Sequence, residues 1–299
     1  MNLPDPIRIV YTPDGEYWRH AFVSIMSILN NNKDLNIHVY IVSDEKSEKF
    51  YKHMNDFELE EAGFSINHLN FEKKNFPEFN TPKHFSDATY YRLFLDDILP
   101  SEVKKALYID CDTIIRRDIS TIRDVDLDGN IIAGVPHVKR EGYKYDLPIT
   151  ADYINTGVLL IDIDAWREEE IGKECLTYIK ENQTGFRLPI QNTINTVLQN
   201  NIQLIDPEYN YTYDWSKQLL SGGGQIDPRI VHFTTHRKPW KYHHSPEYGD
   251  EYIRYLDRSP FKAEYNDKKN YKYPVKKFRE SSASDITYRM CDLIQTIIY

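Results

Sequence analysis

The strongest constraint on the fold is the alternation of short apolar runs with amphipathic stretches over residues 7–240. Residues 7–11 (IRIVY) are apolar and β-branched, which is typical of a buried strand, and a loop containing Pro and Gly follows them. Apolar residues then recur at helical spacing from Phe22 to Leu29, and residues 36–44 (NIHVYIVSD) predict a second strand. Strand, loop, helix and strand in this order predict a parallel βαβ unit and therefore an α/β fold.

The same alternation continues along the chain. It predicts a helix over 86–100, strands over 106–110, 131–135, 155–163 and 229–233, and helices over 165–182 and 190–201. Asp164 directly precedes one of these helices, so its side chain is predicted to be the N-cap. The elements indicate one large domain over 1–260, and the composition then changes to a basic, aromatic C-terminal extension over 261–299.

Composition argues against several classes of protein. The formal charge of −9 argues against general nucleic-acid binding. Three cysteines lie far apart, which argues against a disulfide framework and favours a reducing cytoplasm. The first residues lack the charged and then apolar pattern of a secretory signal, and nowhere do 18 apolar residues run together. We therefore expect a cytoplasmic protein without a membrane-spanning helix.

Two acidic side chains end an apolar run at residues 106–115 (ALYIDCDTII). Burying the carboxylates of Asp110 and Asp112 beside a strand costs several kcal/mol each unless a positive charge offsets them. Residues i and i+2 of a strand face the same way, so these two would converge while Cys111 faces the other side. Convergent carboxylates at the carboxyl end of a strand are typical of a site for a divalent cation.

The Asp-x-Asp pattern is weak by itself, because it occurs four times in the chain. The pairs within 124–128 are better explained as a solvated turn, and the pair 162/164 as a helix cap. A third ligand strengthens the metal hypothesis for the pair at 110 and 112. His232 lies in a predicted strand and Lys238 follows it, as an anion site requires, although a lone strand histidine is more often a hydrogen-bonded core residue.

Five segments in order carry a resemblance to a known family. They are IVYTPDGEYW, HFSDATYYRLFLDDILP, KALYIDCDTIIRRDI, DYINTGVLLIDIDAWRE and HFTTHRKPW. In these the chain resembles glycosyltransferase family 8 over about residues 7–245. That family includes bacterial lipopolysaccharide and lipooligosaccharide galactosyl- and glucosyltransferases, and glycogenin. The resemblance implies a glycosyltransferase A-type fold: a Rossmann-like mixed sheet, flanked by helices, that binds a nucleotide-sugar.

The resemblance also implies the ligands and the chemistry. Asp110, Asp112 and His232 would bind Mn²⁺, with Mg²⁺ as the alternative, and the donor would be a UDP-hexose carrying galactose or glucose. The family retains anomeric configuration, and Gln191 occupies the position where a covalent mechanism would need a carboxylate. Front-face substitution is therefore favoured, with Asp112, Lys238 and Gln191 as the catalytic residues.

Further positions match the family's donor-binding residues. The residues implied are Thr12, Asp14 and Tyr17 for uridine, His84 and Lys238 for the phosphates, Arg92 for the hexose region, and Asn155 for the sugar or diphosphate. Taken singly, Asp14 is better explained as a turn residue, Arg92 as a helix-surface arginine and Asn155 as a turn before a strand. Together, in register with the family pattern, they favour donor binding.

Three positions depart from the family's pattern. Ile190 replaces an acid that normally hydrogen-bonds the donor sugar, which leaves the hexose open. Thr235 replaces a small residue near the phosphates, and Glu16 replaces an amide. The alternative function is a catalytically silent UDP-sugar- or glycan-binding module. A nucleotidyltransferase is disfavoured, because residues 12–17 are not a Gly-rich, basic loop.

The expected partners are the nucleotide-sugar donor and a glycan, lipid-linked or protein-linked acceptor. Residues 262–299 contain eight lysines and arginines against five acids, with aromatic residues between the lysines. An amphipathic helix is predicted over 285–298. Such a segment is typical of peripheral contact with the inner face of the cytoplasmic membrane, and packing on its own domain explains it equally well.

Overall fold

The computed structural model describes residues 4–58, 63–72, 86–138, 153–182, 189–222, 224–234, 238–241 and 247–263. The strands in these ranges are β1 (Ile7–Tyr11), β2 (Ile37–Ser43), β3 (Phe64–Asn70), β4 (Lys105–Ile109), β5 (Thr113–Ile115), β6 (Ile132–Pro136), β7 (Ile154–Asp162), β8 (Ile202–Leu204), β9 (Tyr211–Thr212) and β10 (Ile230–His232). The α-helices are α1 (Tyr17–Asn31), α2 (Glu48–Glu58), α3 (Leu95–Ile98), α4 (Ile163–Glu168), α5 (Ile171–Glu181), α6 (Pro189–Val197), α7 (Tyr213–Gly222) and α8 (Gly249–Asp257). Short 3₁₀ helices span Asp87–Phe94, Ser120–Asp124 and Pro207–Tyr209.

The described strands form a seven-stranded mixed sheet in the order β3-β2-β1-β4-β7-β6-β8. Every neighbouring pair within β3-β2-β1-β4 is parallel, whereas β7 runs antiparallel to β4 and to β6. The chain moves outward from β1 to β3 and then returns to place β4 on the other side of β1. This reversal creates a switch point between β1 and β4, the position where open α/β sheets bind ligands. The α/β prediction is confirmed.

Alternating strand residues divide the core into two apolar clusters. Ile9 and Leu107 face one cluster together with α1, α8 and the small sheet β5-β10-β9. Val10 and Tyr108 face the other cluster, together with the 3₁₀ helix at 87–94 and helices α3 to α6. Because the strands are apolar on both faces, helices cover both sides of the sheet, as parallel strands require.

Three local predictions are corrected. The helix predicted over 86–100 is a 3₁₀ helix that continues into α3. The helix predicted over 165–182 is two helices, because Glu170 adopts a left-handed φ of 49° between α4 and α5. Asp164 is not the N-cap: Asp162 has the extended backbone that a cap needs, and its Oδ1 accepts a hydrogen bond from the Ala165 amide at 2.9 Å.

Among the described residues, no helix has the length and apolar content needed to cross a membrane. Most of the predicted C-terminal extension, including the helix predicted over 285–298, lies outside the described residues. The division into a domain over 1–260 and an extension over 261–299 therefore stays a prediction.

Asp96 in α3 is a partly buried carboxylate. Burial, and then the charge of Asp97, raise the pKa of Asp96 to about 6. The folded chain therefore binds this proton more tightly than the unfolded chain does. The stability that Asp96 contributes is present at low pH and is lost as the pH rises through about 6, where ionisation of a buried group becomes unfavourable.

We expect Asp96→Asn to raise the free energy of unfolding by about 1 kcal/mol at pH 7.5, after allowance for solvent screening, and by much less at pH 4. Urea unfolding at the two pH values measures the difference. Asp126→Asn, at an exposed carboxylate, is the matched control and should show no such pH dependence. An equal gain from Asp96→Asn at both pH values would contradict the argument.

Candidate active site

Two carboxylates and an imidazole converge at the carboxyl end of β4. Strand β4 ends at Ile109, so Asp110 and Asp112 lie in the bend that joins β4 to β5, and not on a continuous strand as predicted. Strand β10 pairs antiparallel with β5 and brings His232 opposite Thr113, next to Asp112. The ligand atoms of the three side chains all lie within 4.8 Å of one another.

The Asp110 carboxylate is held in one orientation. Its Oδ1 accepts hydrogen bonds from Arg92 Nη2 and from the Tyr108 hydroxyl, each at 2.8 Å. Arg92 is itself fixed, because Nη1 donates to the Thr156 carbonyl at 2.8 Å and the guanidinium lies 4.2 Å from the centre of the Tyr108 ring. Oδ2 is therefore directed towards His232, whose Nε2 lies 3.7 Å away.

A chain of hydrogen bonds defines the tautomer of His232. The Gly157 amide donates to Asn155 Oδ1 at 3.0 Å, so that atom is an acceptor, and Asn210 Nδ2 donates to the same oxygen at 2.9 Å. Asn210 Oδ1 then faces His232 Nδ1 at 3.0 Å and accepts its proton. In the neutral ring, Nε2 carries a lone pair that points at two carboxylates.

Asp112 completes the group. Its Oδ1 lies 3.2 Å from His232 Nε2, and its Oδ2 forms an ion pair with the Lys238 ammonium. Burial opposes ionisation of Asp112, but the Lys238 ammonium outweighs it and holds the pKa of this carboxyl well below its usual range. Cys111, between the two acids, faces the apolar core, where burial and then the charge of Asp110 raise the pKa of its thiol.

This donor set fits a divalent cation. In the neutral ring, the Nε2 lone pair and the two carboxylate oxygens could all bind one cation placed between them. Adjacent ligands in an octahedral shell with bonds of about 2.1 Å lie about 3 Å apart, close to the 3.2 Å between Asp112 and His232. Two hard oxygens and one imidazole suit Mn²⁺. If His232 binds an ion through Nε2, the Asn210 amide that accepts from Nδ1 would fix the orientation of its ring.

Gly157 in β7 gives the group its room. A Cβ at this position would lie 2.1 Å from His232 Cε1 and 2.6 Å from Asp110 Oδ2. No side chain is therefore compatible with the observed positions of those two residues. A glycine in a strand interior is typical of such close approach.

The loop predicted to bind uridine follows β1, at the switch point. Thr12 is buried and its hydroxyl lies 3.0 Å from that of Tyr108, which also contacts Asp110. Asp14 accepts a hydrogen bond from the hydroxyl of Ser86, the N-cap of the 3₁₀ helix that carries Arg92. Tyr17 begins α1, and among the described residues it is the large apolar side chain that remains exposed, at 39 %.

Gln191 in α6 is oriented by β7. Its Oε1 accepts from the Thr156 amide at 3.3 Å, and its Nε2 donates to the Tyr153 hydroxyl at 2.9 Å. That hydroxyl donates in turn to Asn192 Oδ1 at 2.6 Å. Ile190 is buried in the apolar core, so the position where the family pattern has an acid contributes here to packing.

Hydrogen bonds and ion pairs thus join most of the predicted site residues. Asp110, Asp112 and His232, called the metal group below because they are the candidate ligands, contact Arg92 and Lys238 directly and Asn155 through Asn210. Gln191 binds the residue after Asn155. Glu16 lies at the edge of the site and forms an ion pair of 2.6 Å with Arg19. His84 and Thr235 lie outside the described residues.

Sequence reasoning missed four residues of this network: Tyr108, Gly157, Asn210 and Ser86. Two had a usable signal, since Tyr108 is two positions before Asp110 and Gly157 interrupts an apolar strand. Asn210 had none, and Ser86 was predicted only as a possible start of the helix over 86–100, not as a partner of Asp14. Their roles depend on contacts with residues 22 and 72 positions away along the chain.

The comparison with known families agrees with this geometry. The sequence model described as Glycosyl transferase family 8 matches residues 8–244, which is most of the chain. The chain belongs to glycosyl transferase family 8. General stress protein A of Bacillus subtilis (strain 168) is 26 % identical over 272 residues, which cover 86 % of this chain and 95 % of that protein.

Two further relatives are enzymes by name. The lipopolysaccharide 1,2-glucosyltransferase of Escherichia coli (strain K12) is 25 % identical over 253 residues, which cover 80 % of this family 8 chain and 74 % of the relative. A crystal structure of the galactosyltransferase LgtC in complex with donor and acceptor sugar analogs aligns with a TM-score of 0.75 at 20 % identity. It covers 85 % of this chain and 96 % of that chain. The structural likeness confirms the predicted glycosyltransferase A-type fold.

Proposed function

We propose that this family 8 member is a Mn²⁺-dependent, retaining transferase that moves a hexose from a UDP-sugar to a glycan acceptor. The observation that carries the proposal is the convergence of Asp110, Asp112 and His232, with His232 Nε2 directed at both carboxylates. These three residues would hold the ion, with Mg²⁺ as the alternative. When bound, the ion would supply positive charge to the diphosphate of the donor.

The loop after β1 would bind the uridine. The Asp14 carboxylate can accept a hydrogen bond from the uracil N–H, while its Oδ2 accepts one from the Ser86 hydroxyl. The exposed Tyr17 ring offers a face on which uracil can stack. Thr12 in this loop contacts the Tyr108 hydroxyl, which in turn orients Asp110. Hydrogen bonds would therefore connect the uridine site to the site of the diphosphate. His84 is proposed as a further phosphate ligand on the family pattern alone.

Charge stabilisation would be the main catalytic contribution of the chain. Lys238 already lies against Asp112, from which its ammonium can reach an oxygen of the β-phosphate. Negative charge grows on that phosphate as the glycosidic bond breaks, and a preorganised cation stabilises it. Arg92 and Asn155 would line the region of the hexose and the diphosphate. The guanidinium of Arg92 also donates hydrogen bonds to Asp110 and to the Thr156 carbonyl in β7.

Gln191 favours front-face substitution. Its amide is a poor nucleophile, and both ends of it are engaged by β7 and Tyr153. The acceptor hydroxyl would therefore attack from the side of the leaving group, and its proton would pass to the departing β-phosphate. Retention of configuration follows from attack on that face.

The acceptor and the hexose are the less constrained parts. The name of the lipopolysaccharide 1,2-glucosyltransferase supports a bacterial surface glycan as the acceptor, lipid-linked or protein-linked. Galactose and glucose are both retained as donors, because buried Ile190 cannot bond a sugar hydroxyl. We propose a cytoplasmic location, with peripheral membrane contact through residues 261–299.

Hydrolysis of UDP-sugars without an acceptor tests the proposal. UDP-glucose, UDP-galactose and their N-acetyl forms are incubated with the full chain, with and without MnCl₂, and released UDP is measured. We expect slow release of UDP from one hexose donor, stimulated at least tenfold by Mn²⁺.

The buried Ile190 gives a specific reason to weigh a catalytically silent UDP-sugar- or glycan-binding module as the second candidate. Mn²⁺-dependent UDP binding without any hydrolysis would favour that module.

A further inference from the structure

Helix α1 contains a buried histidine with both ring nitrogens hydrogen-bonded. Arg19 Nε donates to His20 Nε2 at 3.3 Å, and since arginine only donates, this nitrogen must accept. His20 Nδ1 therefore donates to the Tyr252 hydroxyl on α8 at 2.5 Å. Burial, and then the charge of Arg19, hold the pKa of His20 well below its usual range, so the ring is neutral. The ring is fixed between two helices.

The indole of Trp240 lies on this fixed ring. The ring centroids of His20 and Trp240 are 3.7 Å apart and the planes are inclined by 22°, which is a stacked pair. Tyr252 supports the same indole at 5.1 Å, and Tyr17 meets it edge-on at 6.4 Å. Trp240 is thus packed between α1 and α8, and it also touches the residue proposed to stack on uracil.

Lys238 is tied to Trp240 by a short and rigid connection. Pro239 between them is buried, and its ring restricts the backbone φ. The Lys241 amide donates to the Lys238 carbonyl at 2.9 Å, which closes a turn. The ammonium of Lys238 lies 5.8 Å from the indole centre and contacts Asp112 and the Phe233 carbonyl. These contacts restrict the flexible Lys238 side chain to one position.

We propose that His20 and Trp240 are positioning residues that hold Lys238 against the metal group. A free lysine side chain loses rotamer entropy on binding a phosphate, and a fixed stem reduces that loss. The inference rests on the proposed function in one respect, namely that Lys238 binds the donor phosphate. Its structural content, the placement of Lys238 by the stacked pair, can be measured separately.

Lysine labelling measures that placement in the full chain. A short pulse of an amine-acylating ester is followed by mass spectrometry, with exposed Lys104 as the internal reference. We expect His20→Ala and Trp240→Ala each to raise the Lys238 labelling rate at least fivefold relative to Lys104. Trp240→Phe keeps an aromatic ring on His20 and should stay within twofold of the unaltered chain.

A control variant separates positioning from general loosening of α1. Ser27 is buried in the same helix and bonds the Ser24 carbonyl and the Ile115 amide, with no contact to Trp240 among the described residues. Ser27→Ala should therefore leave Lys238 labelling unchanged. If His20→Ala does not fold, Trp240→Ala still decides the question, because Trp240 is only partly buried and lies outside the helices and strands. Unchanged labelling in the folded alanine variants would overturn the inference.

Binding of UDP in MnCl₂ then tests the connection to the phosphate. We expect His20→Ala to weaken UDP binding about tenfold when Lys238 is present, and by at most twofold when Lys238→Met is already present. A tenfold loss in both backgrounds would overturn the role of His20 through Lys238. If Lys238→Met alone leaves UDP affinity unchanged, the proposed phosphate role is wrong, and the labelling result alone decides the positioning of Lys238.

Discussion

Asp112→Asn is expected to lower the kcat/KM of hexose transfer or donor hydrolysis about 10³-fold, or roughly 4 kcal/mol of barrier. The substitution keeps the shape of the side chain but removes a charge that faces both His232 and Lys238. The ion would lose one anionic ligand, and Lys238 would lose the partner that holds it. Mn²⁺ titration followed by electron paramagnetic resonance should show affinity weakened about 100-fold.

The chain contains its own control for this experiment. Asp126 belongs to another Asp-x-Asp pair, in an exposed turn where it caps the Asp128 amide. Asp126→Asn should change Mn²⁺ affinity and turnover less than twofold. If Asp112→Asn remains folded and keeps full turnover with Mn²⁺, the proposed metal site is wrong, whatever the family of the chain.

The convergence of Asp110, Asp112 and His232 could be predicted from the sequence because local patterns indicate it. Asp110 and Asp112 end an apolar run, and His232 lies in a short strand followed by cationic residues, so each has a signal within a few positions. The detailed conformation differed, since the two acids lie in a bend after β4. They still converge, because the pairing of β10 with β5 closes the group from the other side.

The supporting residues could not be predicted in the same way. Asn210 precedes a two-residue strand, and only the parallel pairing of His232 with Thr212 brings it beside the imidazole. The break between α4 and α5 also lacked a signal, because Glu170 is an unusual residue for a left-handed φ. Such features depend on tertiary packing that overrides local preference.

The second large effect is expected at a residue without a side chain. Gly157→Ala would place a methyl group 2.1 Å from His232 Cε1 and 2.6 Å from Asp110 Oδ2. Neither neighbour can move aside freely, because His232 is bound by Asn210 and Asp110 by Arg92 and Tyr108. The ligand atoms must separate, so we expect at least a 100-fold loss of kcat/KM with Mn²⁺ and a comparable loss of Mn²⁺ affinity.

Overpacking would also cost stability, about 1–3 kcal/mol, so the melting temperature should fall by a few degrees. Uridine affinity distinguishes this loss of stability from loss of the fold. Its proposed contacts, Asp14 in the loop after β1 and Tyr17 at the start of α1, are distant in sequence from Gly157, so uridine binding should persist. Gly222→Ala is the matched control, since a Cβ at the end of α7 meets no atom within 4 Å. Unchanged Mn²⁺ affinity in Gly157→Ala would mean that Asp110 and His232 do not bind one ion together.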